Sequence, residues 1–244
     1  MVDIHSHMLP GVDDGARNME EALIMADMAV QSGVTAMAVT PHSNERGGFV
    51  NYESQYLREC FLELQYVLQE EGIPLKIYRG MEVSASFDLA DKLHDNKIIT
   101  LNDSGYLLVE FLFDEEPWMM EAVVKDVLAS GRIPVIAHPE RYACVQEKPD
   151  MVEKLLERGA LFQMNKGSIL GRFGSREAFT ADKLLHKNAY ACIASDAHRP
   201  HMRTTRMAEV KSYISRKFSE LQADILLCRN PMNILENKEI HRIV

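Results

Sequence analysis

One recurrence constrains this chain more than any other feature: an amphipathic run, a glycine, then a short apolar run. It occurs in "MAVQSGVTAMAVT", "LQEEGIPLKIY", "VLASGRIPVIAH" and "LLERGALFQMN". A glycine just past a helix supplies a left-handed C-terminal stop, and the β-branched run after it reads as a strand. The helical period is visible in Leu57, Cys60, Phe61, Leu64, Val67 and Leu68, which form one apolar stripe. Asn18 with Glu21 resembles a capping box for the first helix. Seven strands are predicted: "VDIH", "TAMAVT", "LKIYRGMEV", "YLLVEF", "IPVIAH", "LFQMN" and "ACIAS". Strands alternating with helices predict parallel βαβ units, which both an open doubly wound sheet and a barrel satisfy. There is no Gly-x-Gly-x-x-Gly turn after the first strand and no Walker loop, which counts against a nucleotide-binding sheet. No linker divides the chain, so one domain over residues 1–244 is expected.

Composition narrows the function classes. A net charge of −9 argues against nucleic acid or an anionic membrane as the main partner, since both reward a basic footprint. No basic segment followed by an apolar one marks a leader, and no apolar run approaches a membrane span, so a cytoplasmic protein is expected. Cys60, Cys144, Cys192 and Cys228 are scattered without CxxC pairing. None begins the Cys-x5-Arg spacing by which cysteine-dependent phosphatases hold a phosphoryl group.

The polar residues that stand out lie at the C-terminal ends of the predicted strands. The first ends in His5 and His7, the second in "TPH" with His42, the third in "GME" with Glu82. The fourth ends in "VEF" with Glu110, the fifth in "AHPER" with His138, and the seventh in "SDAH" with Asp196 and His198. In a barrel that edge carries the active site, because loops from successive strands converge there. His5 and His7 are two apart on a strand and face the same side, which suits two ligands on one ion. Taken singly, His42 or His138 reads as an ordinary hydrogen-bonded histidine, and Glu82 or Glu110 as a partner for an arginine such as Arg79. Together with Asp14 of the first loop they form a constellation. Imidazole plus carboxylate without thiolate favours manganese, iron or zinc, and nine donors exceed the needs of one ion.

"DIHSH", "TPH", "HPER" and "SDAH" resemble the ordered motifs of the polymerase-and-histidinol-phosphatase (PHP) family. "DIHSHMLPGVDDG", "LNDSGYLLVEF" and "PVIAHPERY" are most similar to its bacterial tyrosine phosphatases of capsule and exopolysaccharide operons, from Met1 to about Pro231. The resemblance implies an α/β fold, a distorted seven-stranded β/α barrel of PHP type with a trinuclear site. It implies that His5, His7, Glu82 and Asp196 hold the first metal. Glu82 would bridge to a second, shared with Glu110 and His138, and Asp14, His42 and His198 would hold the third. It further implies manganese as the metal, a metal-bridging hydroxide as the nucleophile, and a phosphotyrosine protein, a bacterial tyrosine kinase, as the substrate.

Charge supports a phosphate substrate. Three divalent ions bring six positive charges and the four carboxylates return four, leaving a cationic pocket on an acidic chain. Arg141, three residues after His138, is a candidate for phosphate. The basic segment "HRPHMRTTRM" adds Arg199, His201, Arg203 and Arg206, of which His201, Arg203 and Arg206 are candidate catalytic groups. A tyrosine leaving group, with a pKa near 10, needs little acid assistance. Two rivals share the site: a small-molecule phosphatase such as histidinol phosphatase, and an amidohydrolase. The latter places a modified lysine where this chain has Glu82 or Glu110.

Overall fold

In the computed structural model of the chain, residues 1–45 and 47–241 are described, so the last three residues of the expected domain lie outside them. The glycines of the recurrence behave as expected. Gly33, Gly72, Gly131 and Gly159 all have positive φ, each closing a helix before a strand begins. The strands are β1 (Val2–Asp3), β2 (Ala36–Val39), β3 (His42–Ser43), β4 (Lys76–Arg79) and β5 (Glu82–Ser84). They continue with β6 (Tyr106–Glu110), β7 (Ile133–Ala137), β8 (Leu161–Asn165) and β9 (Cys192–Ala194). All pair in parallel, in two sheets ordered β1-β2-β4 and β3-β5-β6-β7-β8-β9.

Every predicted strand run is therefore present, but two of them are broken. The second breaks at Thr40–Pro41 and the third at Gly80–Met81, and each leaves one sheet to continue in the other. Proline has no N–H for a ladder. The Thr40 amide donates to the Ser6 carbonyl at 2.7 Å instead, while Glu82 N donates to the Pro41 carbonyl at 3.1 Å. The Gly80 position is crowded, with a built Cβ 2.9 Å from Leu101. Beyond β1 the chain stays extended and touches the far end of the second sheet. Ser6 bridges Ala197, Asp196 N donates to the His5 carbonyl at 2.9 Å, and His7 N donates to the Ala197 carbonyl at 2.8 Å.

The strands are apolar on both faces, as parallel strands covered on both sides must be. Alternate residues divide between two clusters. Met37, Ile77, Leu107, Ile136, Phe162 and Ile193 pack outward under the helices. Val2, Ala36, Tyr78, Leu108, Val135, Leu161 and Cys192 meet in a second cluster with Ile234 and Leu235. The outer helices include α1 (Met19–Gln31) and α2 (Gln55–Glu70). In α2 the stripe buries Leu57, Phe61, Leu64 and Leu68, while Cys60 and Val67 are only half-buried at its margin. The capping box of α1 is half made. The Asn18 side chain accepts from Glu21 N at 3.0 Å, but the Glu21 carboxylate reaches the Arg17 amide rather than that of Asn18. No helix among the described residues is long and apolar enough to cross a membrane.

The first loop folds back on His7: Ala16 N donates to the His7 carbonyl at 2.9 Å, and Gly15 lies against it. A Cβ at position 15 would sit 2.0 Å from the His7 carbonyl oxygen and 2.4 Å from the His7 Cβ. Backbone must then move, so Gly15→Ala is expected to cost about 1–3 kcal/mol in urea denaturation. An unchanged midpoint would show that the loop yields freely.

Candidate metal centre

The strand ends bring eight of the nine expected donors to one place, and the first loop adds Asp14. His5 and His7 follow β1, His42 opens β3, Glu82 opens β5 at the break, and Glu110 ends β6. His138 follows β7, and Asp196 and His198 follow β9. His138 and Asp196 have φ of 33° and 49°, left-handed values that an L side chain adopts at a cost and that cluster where side chains are aimed at a site. His5, His7, Glu82, His138, Asp196 and His198 are buried, His42 and Glu110 half-buried, and Asp14 exposed.

The centre of the arrangement is Glu82. Its carboxylate lies 3.1 Å from His5 Nε2, 3.2 Å from His7 Nε2, 3.1 Å from His42 Nδ1 and 3.2 Å from His138 Nε2. Around it, three groups have donor atoms close enough to share an ion: His5, His7, Glu82 and Asp196; His7, Asp14, His42 and His198; and His42, Glu82 and Glu110. Each pair of groups shares one residue, namely His7, Glu82 or His42. The grouping departs from the expected one in three places. His138, expected with Glu82 and Glu110, falls in none of the groups. His42 joins the carboxylate pair Glu82 and Glu110, and His7 joins the Asp14 group. His138 approaches Glu82 at 3.2 Å and Glu110 at 3.4 Å through other oxygens.

The outer hydrogen bonds fix how the imidazoles present themselves. His5 Nδ1 donates to Gln163 Oε1 at 2.8 Å, His7 Nδ1 to Asp13 Oδ2 at 2.7 Å, and His198 Nδ1 to the Asp196 carbonyl at 3.1 Å. An N–H committed outward leaves Nε2 as a bare lone pair facing inward, the arrangement of metal-ligating histidines. Inside, Glu82 Oε2, Asp196 Oδ1, His42 Nδ1 and His198 Nε2 are buried without a hydrogen-bond partner. Buried polar atoms in folded proteins are usually paired, so four unpaired atoms converging on one place fit a divalent cation, and the donors suit manganese, iron or zinc.

Burial would lower the His5 and His7 imidazoles, but Glu82 and Asp196 beside His5 and Asp13 beside His7 outweigh it and raise both, favouring a proton that a bound ion would displace. Burial would raise the Glu82 carboxyl, but His5, His42 and His138 outweigh it and hold the group well below its usual range. Asp196 is likewise held low against burial, by His5 and Arg203. Glu110 is pushed well up by burial and by Glu82 and Asp196 beside it. Burial lowers His138 to about 4, which keeps its imidazole neutral.

Among the basic candidates, Arg203 pairs with Asp196, and Arg141 lies 3.5 Å from the same carboxylate. Both guanidinium groups stack on Phe173, and Arg141 also covers Phe113 at 4.3 Å. Arg199 donates to the Asp14 carbonyl at 3.1 Å. His201 and Arg206 are exposed, and neither side chain hydrogen-bonds or ion-pairs with a site residue among those described. Arg79 turns away to Glu53, so it is not the partner of Glu82 or Glu110.

Several residues that shape the site were not anticipated. Asp13, the neighbour of the expected Asp14, orients His7 and also accepts from His42 N at 3.0 Å. From β8, Gln163 holds His5, and Asn165 donates to Asp196 Oδ2 at 2.7 Å. The one available signal was two polar residues spaced by two within the apolar "LFQMN", hence on one face. Lys166 is 2% exposed and donates to the carbonyls of Thr204 and Arg206, clamping the segment that carries Arg203.

The chain matches the family described as capsular polysaccharide synthesis, CpsB/CapC, over residues 1–236. It belongs to the CpsB/CapC family. Tyrosine-protein phosphatase YwqE of Bacillus subtilis is 34% identical over 99% of this chain and 94% of its own. Tyrosine-protein phosphatase CpsB of Streptococcus pneumoniae is 29% identical over 98% and 100%. A crystal structure from work on these two proteins, described there as unique metal-dependent tyrosine phosphatases, superposes with a TM-score of 0.93 at 34% identity, covering 100% of this chain and 97% of that one. The fold of that structure is thus shared by this chain.

Two outcomes follow from the outer hydrogen bonds. Asp13→Ala is expected to weaken divalent-metal binding about 10- to 100-fold in competition with a chromogenic chelator; unchanged affinity would remove Asp13 from this role. Burial pulls the Lys166 ammonium from 10.5 down to about 8, against the pull of Asp3. Between those values the unfolded chain binds more protons than the folded one, so stability rises with pH. The wild type should gain stability over that window relative to Lys166→Met in urea titrations at stepped pH. A constant difference would show that Lys166 titrates as it does in water.

Proposed function

We propose that this chain is a metal-dependent protein-tyrosine phosphatase that hydrolyses phosphotyrosine on a protein substrate. The observation that carries this reading is the triangle of three donor groups sharing His7, His42 and Glu82, with Arg141 and Arg203 at its rim. The named relatives of the family support the substrate class. We assign His5, His7, Asp14, His42, Glu82, Glu110, His138, Asp196 and His198 as ligands of three divalent ions, with manganese as the metal. Imidazole and carboxylate donors without thiolate support that choice. Bound there, the ions would neutralise phosphoryl charge and lower the pKa of water to supply a nucleophile.

The chain's own groups do the rest. Arg141 and Arg203 offer planar forks to the phosphoryl oxygens, held in place by the ring of Phe173. Water oxygen joins phosphorus as the bond to the tyrosine oxygen breaks, releasing phosphate and a phenol acidic enough to leave with little protonation. The cysteines lie outside this site, and burial pushes the Cys192 thiol well up, so none is offered as a nucleophile. We read the two sheets as one distorted seven-stranded barrel. The inner cluster that collects at least one residue from every strand run, and the Ser6–Ala197 bridge, support that reading. A bacterial tyrosine kinase of capsule or exopolysaccharide synthesis is the substrate we assign, in keeping with the family description, and the cytoplasm is its compartment, which suits free cysteines.

The test is phosphate release from a phosphotyrosine peptide by metal-stripped protein, by protein resupplied with manganese, and by a His5→Ala/His7→Ala variant. Stripping and the double substitution should each lower the rate by at least about 100-fold, and manganese should restore only the wild type. Full activity after chelation would overturn the reading. Faster turnover of histidinol phosphate than of the peptide would move the substrate to small phosphoesters.

A further inference from the structure

A groove of about 480 Å³ opens beside the metal centre, lined in part by Glu110, Phe113, Phe87, Leu112, Glu45 and Glu115. Its inner end belongs to the site. Glu110 is one of the donors, and Phe113 carries the Arg141 guanidinium on its ring at 4.3 Å. Its outer end is apolar and open to solvent. Phe87 is 61% exposed and Leu112 69%, and just outside the lining Trp118, 62% exposed, stacks its ring on that of Phe87 at 6.0 Å. Exposed aromatic rings grouped in this way mark a surface that meets something. The base is firm: Ser86 is pinned between Asn44 and Asp88, and Phe111 packs edge-on against Tyr142.

Charge says what kind of chain fits. Among the described residues that line the groove, every ionisable side chain is a carboxylate: Glu45, Glu110 and Glu115. None of the ion pairs among the described residues engages Glu45 or Glu115, and nearby Lys92 is already paired with Asp88 and Asn44. A small phosphomonoester would be swallowed by the centre and leave the groove empty. A polypeptide carrying the phosphoryl group would have to pass along it.

We propose that this groove reads the residues flanking the phosphotyrosine, seating an apolar side chain against Phe87 and Trp118 and a basic one between Glu45 and Glu115. The inference rests on the phosphatase reading and adds the sequence class of its substrate. The groove is continuous with the phosphate-binding arginine and opposite in charge to the metal-loaded centre. It therefore selects substrates whose phosphate and flank carry opposite signs.

Manganese-loaded protein is assayed on free phosphotyrosine, on a phosphotyrosine peptide with leucine and arginine flanks, and on one with glutamate flanks. The ratio of kcat/KM for the leucine/arginine peptide to that for free phosphotyrosine should fall about tenfold in Phe87→Ala/Trp118→Ala. Glu45→Lys/Glu115→Lys should invert the preference between the two peptides. Trp118 is the sole tryptophan, so its emission reports occupancy without turnover. A non-hydrolysable phosphonate version of the leucine/arginine peptide should shift it saturably, at about tenfold lower concentration than the glutamate version. Constant ratios, or emission indifferent to both peptides, would overturn the groove even if phosphotyrosine is hydrolysed. Emission that follows protein concentration alone would assign the patch to a second copy of the chain and overturn it equally. Flank-dependent emission with no turnover of any phosphotyrosine substrate would instead keep the groove and remove the phosphatase reading.

Discussion

The structure depends on a carboxylate that is 1% exposed and surrounded by imidazoles. Glu82 lies within 3.2 Å of His5, His7, His42 and His138, which arrive from three strands, β1, β3 and β7. An isolated carboxylate at such depth would be expensive, and removing one member of a buried charged pair leaves the other uncompensated. The four imidazoles therefore need Glu82 as much as it needs them. Two of their outward nitrogens are secured in turn, that of His5 by Gln163 and that of His7 by Asp13, which also accepts from His42 N. The polar interior is thus two shells deep inside an otherwise apolar fold.

Local backbone irregularity is the means by which regular strands deliver those groups. The breaks at Pro41 and Gly80 shift two strands between sheets at the very positions where His42 and Glu82 begin the next pairing. Left-handed φ at His138 and Asp196 does the same for β7 and β9. A strand that ran on without interruption would keep alternating its side chains between faces. The irregular residues turn that alternation into convergence.

Much of this was legible in the order of residues. Helix-terminating glycines announce the alternation because only a left-handed stop fits there, and they held at Gly33, Gly72, Gly131 and Gly159. Eight of the nine candidate donors were visible because each is a polar residue at or just past the end of an apolar run, whereas Asp14 lies in the first loop and stood out only beside the others. The strand breaks were not visible, since whether Thr40 N bonds within its sheet or to Ser6 is decided by a partner more than thirty residues away. Asp13 was hidden by its neighbour: "DDG" marks a turn without saying which carboxylate points inward. Arg79 misled in the same way, since nothing near it in sequence reveals Glu53 as its partner. The sharing of His7 and His42 between groups, and the place of His138 outside them, are matters of distance that only the folded chain contains.

The contact between Ser6 and Ala197 joins the first strand run to the last. His5 and His7 meet Asp196 and His198 only when nearly the whole polypeptide has been made and closed, and closing so long a loop is among the slowest steps in folding. No fragment that stops short of His198 or begins after His5, however well its helices form, can offer all nine candidate ligands. A cation held there would draw its affinity from the finished circuit and return it as folding free energy. Metal occupancy would then act as a seam, telling a completed molecule from one still open.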